Sequence, residues 1–337
     1  MAHQVTLQPS GHRFEADDDE TLLEAALDAG FHLPYGCRNG ACGACKAKVL
    51  SGDVDHGAAL DHALTPEDRA QGFVLTCCAK PLTDVALECR EAIAETNIPV
   101  RTMPVRVEKL ERAAADVMVM KLRLPASERL QFLAGQYVEV LLKDGSRRAF
   151  SIANAPQEDQ FLELHVRLVP GGKFTEHVFD GMKEREILRI EGPHGRFQLD
   201  EFSARPAIFL AGGTGFAPVK AIVEYAIHNR IARPMWIYWG ARDRSGLYLP
   251  ELPQRWVAEH PHIRYVPVLS EAAAADAWTG REGLVHQAVL EDHADLSGFQ
   301  VYACGAPAMI EAAQRDFCAR GLPPEQFFSD AFTYAPR

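Results

Sequence analysis

No stretch of this 337-residue chain approaches the ~18–20 consecutive apolar residues that a membrane-spanning helix needs. A basic-then-apolar leader is missing as well. Met1-Ala2-His3-Gln4 runs straight into alternating, strand-like sequence, so a cytoplasmic protein is expected. Thiols stay reduced in that compartment, and the eight cysteines are expected to be ligands or core residues rather than disulfides. Positive charge is in deficit. The net charge of −11 argues against nucleic acid and anionic membranes as partners. Internal repeats are absent, and low complexity is confined to brief alanine stretches near Ala113 and Ala272. What is present is a chain long enough for two or three domains, with 47% hydrophobic residues to fill their cores. The charge is unevenly spread: up to Ala92 there are 15 acidic and 7 basic residues, which places −8 of the −11 in the first third. An acidic face there could steer a partner with a basic patch, or could serve solubility alone.

The most informative pattern is Cys37-x4-Cys42-x2-Cys45, followed by Cys77 within Leu75-Thr76-Cys77-x3-Pro81. Four thiolates so spaced, three from one tight loop and one returning from far along the chain, suit a 2Fe–2S cluster of the plant-ferredoxin type. Gly36, Gly40 and Gly43 let the loop curl and aim N–H groups at the cluster sulfurs, contacts that tune its potential. The competing readings are disulfides and a zinc site, but structural zinc prefers paired C-x2-C knuckles and only one is present. Cys78, Cys89 and Cys318 read as small buried hydrophobes. A strand-like backbone would point Cys78 away from the cluster.

Three regions follow from patterning. Residues 1–92 read as a small mixed domain, with a hairpin (Val5–Leu7, His12–Phe14) and a helix over Leu22–Ala29 opened by the capping box Thr21-x-x-Glu24. A second short helix starts at Thr65-Pro66. Residues 93–103 lose periodicity and read as a linker. Residues 104–202 carry strands near 105–110, 117–124, 136–142, 147–152, 161–169 and 187–191, which suggests a closed antiparallel barrel. From 203 to 337, apolar strands near 208–211, 235–238, 265–269 and 300–303 alternate with helices at 219–228, 252–260 and 308–319. That is a parallel sheet with helices on both faces.

Arg148-Ala149-Phe150-Ser151 ends a barrel strand, and Gly171-Gly172-Lys173-Phe174-Thr175 opens a helix. Arg148 can clamp a phosphate bidentately. The glycine turn can offer N–H groups to a pyrophosphate, with Lys173 in the same turn and Thr175 adding a hydroxyl. The Phe150 ring can stack on an isoalloxazine, and Ser151 can hydrogen-bond near its N5. Downstream, Ile208–Ala211 leads into Gly212-Gly213-Thr214-Gly215 and a helix start, a turn fit for a second pyrophosphate but not the G-x-G-x-x-G fingerprint.

Together with Cys304-Gly305-Ala306-Pro307 at the end of the last long strand, these segments resemble the ferredoxin–NADP reductase superfamily. The departure is Phe150 where that pattern has Tyr: stacking survives and a hydroxyl contact to FAD is lost. The resemblance implies a β-grasp ferredoxin domain, an antiparallel β-barrel FAD domain and a parallel-sheet α/β nicotinamide-binding domain. It also implicates His165, Val166 and Arg167 as flavin contacts, Gly213, Thr214, Gly215 and Gly305 as NAD(P)H contacts, and Cys304 as a positioning residue at hydride transfer. Phe332, or Tyr334, would cover the free flavin face. Asp243 could accept from an adenosine ribose hydroxyl and favour NADH, whereas Arg242 and Arg244 could meet a 2′-phosphate.

The implied activity is that of an NAD(P)H-dependent iron–sulfur flavoprotein oxidoreductase, in which FAD takes a hydride and yields electrons singly to the cluster. No catalytic acid–base dyad is expected. A closer likeness, through Leu75-Thr76-Cys77-Cys78, Arg189–Pro193, Trp278–Gly280, Val285–Asp292 and Phe328–Phe332, is to the CDP-6-deoxy-3,4-glucoseen reductase family. Its members serve pyridoxamine-phosphate-dependent sugar dehydrases. The domain order alone equally resembles reductases of ring-hydroxylating dioxygenases and soluble monooxygenases. The partner implied is therefore an electron-accepting protein, a sugar dehydrase or an oxygenase component. A monomer is expected.

Overall fold

Among the described residues short strands form three main sheets and one two-stranded sheet; burial alternates along the first two strands, whereas the central strands of the third main sheet are buried on both faces. The computed structural model describes residues 2–31, 33–36, 38–41, 43–89, 98–273 and 277–332. It divides into two units, 1–97 and 98–337.

In the first unit β1 (Ala2–Gln8) and β2 (Arg13–Asp17) form a hairpin that sets Val5 opposite Phe14. Thr21 and Glu24 close a reciprocal capping box on α1 (Leu22–Asp28). That helix buries Leu22, Leu23, Ala25 and Ala26 in one core with Val5, Leu7, Val85 and Leu87. β3 (Lys46–Ser51), β4 (Val54–Asp55), α2 (Pro66–Ala70), β5 (Phe73–Leu75), β6 (Lys80–Pro81) and β7 (Val85–Glu88) follow. The mixed sheet runs β2-β1-β7-β3-β5, with β1 parallel to β7, and β4 pairs with β6 beside it. This is the β-grasp arrangement. α2 carries its own capping box, Thr65 with Asp68, and has Pro66 in its first turn.

The second unit opens with β8 (Arg101–Ala114), β9 (Val117–Arg123), β10 (Tyr137–Leu141), β11 (Arg147–Ser151), β12 (Phe161–Arg167), α3 (Lys173–Glu176) and β13 (Ile187–His194). The antiparallel order is β11-β10-β13-β8-β9-β12, and a bridge between Ile152 and Leu164 joins the two edge strands. Closure removes exposed edges, which is how an antiparallel barrel protects itself from foreign pairing. Val105, Val107, Leu122, Val140, Leu164 and Ile190 fill its interior.

There follow β14 (Ala207–Gly212), α4 (Phe216–His228), β15 (Met235–Ala241), α5 (Glu251–Glu259), β16 (Ile263–Leu269), β17 (Arg281–Glu282), α6 (Val285–Asp292), β18 (Gln300–Gly305), α7 (Pro307–Cys318) and β19 (Phe327–Ala331). The sheet is wholly parallel, in the order β17-β16-β15-β14-β18-β19. Three elements here were not read from the sequence: β17, α6 and β19. The terminal segment is a paired strand rather than a loose tail, and Phe328 stacks on Tyr302 with centroids 4.9 Å apart. One continuous core joins the barrel rim to this sheet, with Val117, Ala134 and Phe197 packed among Phe209, Phe216 and Tyr302. Among the described residues no helix is long and apolar enough to cross a membrane.

Candidate functional site

In the first unit, pairing of Lys46 with Leu75 brings Cys45 beside the turn that holds Cys77, and the Thr76 N–H donates to the Cys45 carbonyl at 3.1 Å. The two Sγ atoms, both buried, lie 3.2 Å apart. A disulfide would need about 2.05 Å. No disulfide joins them. Hydrogen bonding to Cys45 and Cys78, then burial, pushes the Cys77 thiol far above its ordinary range. Crowded buried thiols cannot all ionise unaided, whereas bound metal ions deprotonate their ligands outright. The donor set therefore fits an iron–sulfur cluster. Cys37 and Cys42, the other two expected ligands, lie outside the described residues.

Cys78 differs from its expectation. Thr76–Cys78 is a turn, not a strand, so Cys78 does not point away: its Sγ lies 3.8 Å from that of Cys77. Gly40, at φ 80°, makes room for it, because a Cβ there would lie 2.7 Å from the Cys78 sulfur and 3.0 Å from the Ala58 carbonyl oxygen.

On the barrel, Arg148, Phe150 and Ser151 lie along β11. Phe150 packs on Phe174, centroids 5.3 Å apart, which ties β11 to the turn carrying Gly172, Lys173 and Thr175. A Cβ at Gly172 would fall 2.6 Å from the Thr175 Oγ1 and 2.8 Å from the Val169 carbonyl oxygen. Glu176 accepts from the Gly171 N–H at 2.6 Å, so a carboxylate already occupies an anion-seeking donor of this turn. The cradle fits a flavin pyrophosphate. Thr175 Oγ1 accepts from the Val169 N–H, Lys173 pairs with Asp144, and Arg148 donates to the Arg147 carbonyl.

On β12, Val166 is core, and Arg167 pairs with Asp116 at 2.8 Å. The His165 ring is sealed from water between Glu163 (3.1 Å) and the Tyr248 hydroxyl (2.8 Å). Burial holds that imidazole below its usual range, with Glu163 opposing. Lys220 lies 3.2 Å from Glu163 and 2.9 Å from Glu224. Burial alone would raise the Glu163 carboxyl, but His165 and Lys220 hold it well below the carboxylate range. Sequence reading missed Glu163, Lys220 and Tyr248, because their partners lie up to 83 positions away.

The glycine turn between β14 and α4 meets this strand. A Cβ at Gly213 would lie 2.8 Å from the Arg167 guanidinium, and one at Gly215 only 2.1 Å from the Cys304 carbonyl oxygen. The Trp239 indole donates to the Gly213 carbonyl at 2.9 Å, and Thr214 is buried. Cys304 lies in register with Ala211 and Asp330. Burial, and next Asp330, pushes its thiol up, so it stays protonated. The Phe332 N–H donates to the Gly305 carbonyl at 2.8 Å; Tyr334 lies outside the described residues. Asp243 caps its own turn, accepting from Ser245 at 2.6 Å, which keeps its carboxyl below the usual range. Glu139, Glu191 and His194 also converge, but Arg147 already bridges the two carboxylates.

A flavin barrel joined to a nucleotide sheet, with a thiol cage in a separate unit, defines an NAD(P)H-dependent iron–sulfur flavoprotein reductase. Family models match accordingly: the 2Fe-2S iron-sulfur cluster binding domain at residues 5–82, the oxidoreductase FAD-binding domain at 104–199 and the oxidoreductase NAD-binding domain at 209–315. The chain is 46% identical over 332 residues to the CDP-6-deoxy-L-threo-D-glycero-4-hexulose-3-dehydrase reductase of Yersinia pseudotuberculosis, covering 98% of this chain and 99% of that one. It is 38% identical to the reductase subunit of an Amycolatopsis aromatic O-demethylase, over 96% of this chain and 97% of that one. The crystal structure of the Amycolatopsis reductase GcoB superposes with a TM-score of 0.81 at 36% identity, covering 98% and 99%. The chain belongs to the ferredoxin–NADP reductase family, in the branch that carries its own 2Fe–2S domain. Its cofactors are the 2Fe–2S cluster, FAD and NAD(P)H, and it is an electron-transfer reductase that donates to a partner enzyme.

Proposed function

We propose that the electron acceptor is a sugar dehydrase of the CDP-6-deoxyhexulose type. The observation that carries this is end-to-end identity of 46% with a dehydrase reductase, against 38% for an aromatic O-demethylase reductase over similar coverage. When bound, FAD accepts a hydride from the nicotinamide and yields electrons one at a time to the cluster.

In this reading the modules are 1–92, 104–202 and 203–337, working as a monomer in the cytoplasm. Cys37, Cys42, Cys45 and Cys77 hold the cluster. Arg148, Gly172, Lys173 and Thr175 bind the FAD pyrophosphate, while Phe150 and the backbone at His165, Val166 and Arg167 line the flavin. Gly213, Thr214 and Gly215 take the NAD(P)H pyrophosphate, and Asp243 the ribose, with NADH preferred. Ser151 faces the flavin edge, Gly305 and the neutral thiol of Cys304 orient the nicotinamide, and Phe332 shields the ring until it enters.

The test is reconstitution with a CDP-6-deoxyhexulose-3-dehydrase and its substrate. Stoichiometric NADH oxidation with 3-deoxysugar formation is expected. Turnover of an aromatic oxygenase with no dehydrase coupling would favour the second reading, an oxygenase reductase, to which the likeness to GcoB also points.

A further inference from the structure

Lys220 is only 8% exposed, yet its ammonium group has three oxygen partners: the Ala153 carbonyl at 3.1 Å, Glu163 at 3.2 Å and Glu224 at 2.9 Å. We propose that this side chain is a positioning residue for hydride transfer, fixing the helix that leaves the nucleotide turn against the strands that face the flavin. It deepens the proposed function and rests on the assignment of Gly213–Gly215 to NAD(P)H and of Ser151 and the β12 backbone to FAD.

Two of the three partners belong to the barrel. Ala153 stands two residues past Ser151, and its N–H donates to the Glu163 carbonyl at 2.7 Å, so the chain leaving β11 is laced to β12 at this point. Glu163 also holds the His165 ring, whose other nitrogen meets Tyr248 from the nucleotide side. Lys220 lies five residues past Gly215, in the first turns of α4. Its pair with Glu224 is internal to that helix and spans nothing, whereas the bonds to Ala153 and Glu163 cross from sheet to barrel. Burial alone would lower the Lys220 pKa, but Glu163 and then Glu224 hold it above its usual range, so the group stays charged.

Hydride transfer needs its reacting atoms held about 3–3.5 Å apart, and a misplacement of about 1 Å can cost about 10²-fold. The turn itself is braced elsewhere, by the Trp239 indole and the Cys304 backbone. Loosening α4 should therefore disturb where the nucleotide sits more than how tightly it is held.

Lys220→Met keeps the aliphatic stem and removes the cation. In stopped-flow reduction of the FAD-loaded chain by NADH, the limiting rate should fall at least about tenfold while the Kd for NADH stays within about threefold. The long-wavelength charge-transfer band of NAD+ over reduced flavin reports ring overlap without turnover. It should weaken, with FAD content near wild type. An unchanged limiting rate and band would overturn the proposal, as would a loss that appears wholly in Kd or wholly as lost FAD. If Gly215→Ala leaves the Kd for NADH unchanged, the assignment of the turn fails and the proposal with it. If it raises that Kd while Lys220→Met changes nothing, the proposal alone fails. Lys220→Met leaves two buried carboxylates short of positive charge. Should it not fold, Lys220→Met combined with Glu224→Gln takes its place, since Lys121 still faces Glu163 at 3.5 Å. Misfolding of that variant too would assign Lys220 to folding rather than positioning and equally overturn the proposal.

Discussion

A histidine held on both ring nitrogens and sealed from water has little freedom to change charge. In His165 the neutral ring donates from Nε2 to the Glu163 carboxylate, which leaves Nδ1 to accept from the Tyr248 hydroxyl. A second proton would force Tyr248 to turn its hydroxyl away. Lys220 and Lys121, 3.2 and 3.5 Å from Glu163, supply the positive charge that the carboxylate needs. An unfolded histidine titrates near 6.5, and burial sets His165 lower. Between those values the unfolded chain binds more protons, so stability falls as pH drops below about 6.5. The thermal midpoint of the second unit should therefore decline from pH 7 to 5.5. His262, His286 and His293 share the direction, so the signature is a difference: His165→Gln should flatten the slope. Equal slopes in variant and wild type would contradict this. Tyr248→Phe should cost about 1 kcal/mol by removing one buried hydrogen bond, read as a lower denaturant midpoint.

The turn from β14 into α4 is held from three sides, by Arg167 of the barrel, Trp239 of β15 and the Cys304 backbone of β18. Gly215→Ala would place a methyl 2.1 Å from the Cys304 carbonyl oxygen, and both atoms belong to backbone that cannot swing aside. The loop must shift. We expect the KM for NADH with ferricyanide as acceptor to rise at least tenfold, because binding depends on N–H groups converging on phosphate, while FAD content stays near wild type. Unchanged KM would show that this loop does not touch the nucleotide. Such elements were legible in the sequence because their signals are local: alternating apolar residues for barrel strands, Thr21 and Thr65 for helix starts, glycines for phosphate turns. The missed features are long-range or cross expected boundaries. α6 and β19 are short and gain their form from the sheet they pack on. Cys78 lies toward Cys77 because Thr76–Cys78 is a turn, where a strand-like backbone would have pointed it away. No sequence spacing joins Tyr248 to His165; only the shared core of barrel and sheet does.

At the scale of the whole molecule, hydride chemistry belongs to residues 98–337 and the thiol cage to residues 1–97, so the two can be disabled separately. Cys45→Ala removes a buried thiol whose sulfur lies 3.2 Å from that of Cys77 and which, in the function proposed above, is a cluster ligand. Cytochrome c reduction should fall to background, since it draws on the cluster, while NADH–ferricyanide activity should remain within about twofold, since ferricyanide takes electrons from flavin directly. Equal loss of both would contradict this wiring. The first third also carries most of the net negative charge. If that charge steers a basic acceptor, wild-type cytochrome c reduction must slow as salt shortens the Debye length from about 30 Å at 0.01 M to about 8 Å at 0.15 M. Ferricyanide is an anion and meets the second unit, so its rate should not fall in parallel. A cytochrome c rate indifferent to salt would leave the acidic face a matter of solubility and remove electrostatics from partner choice.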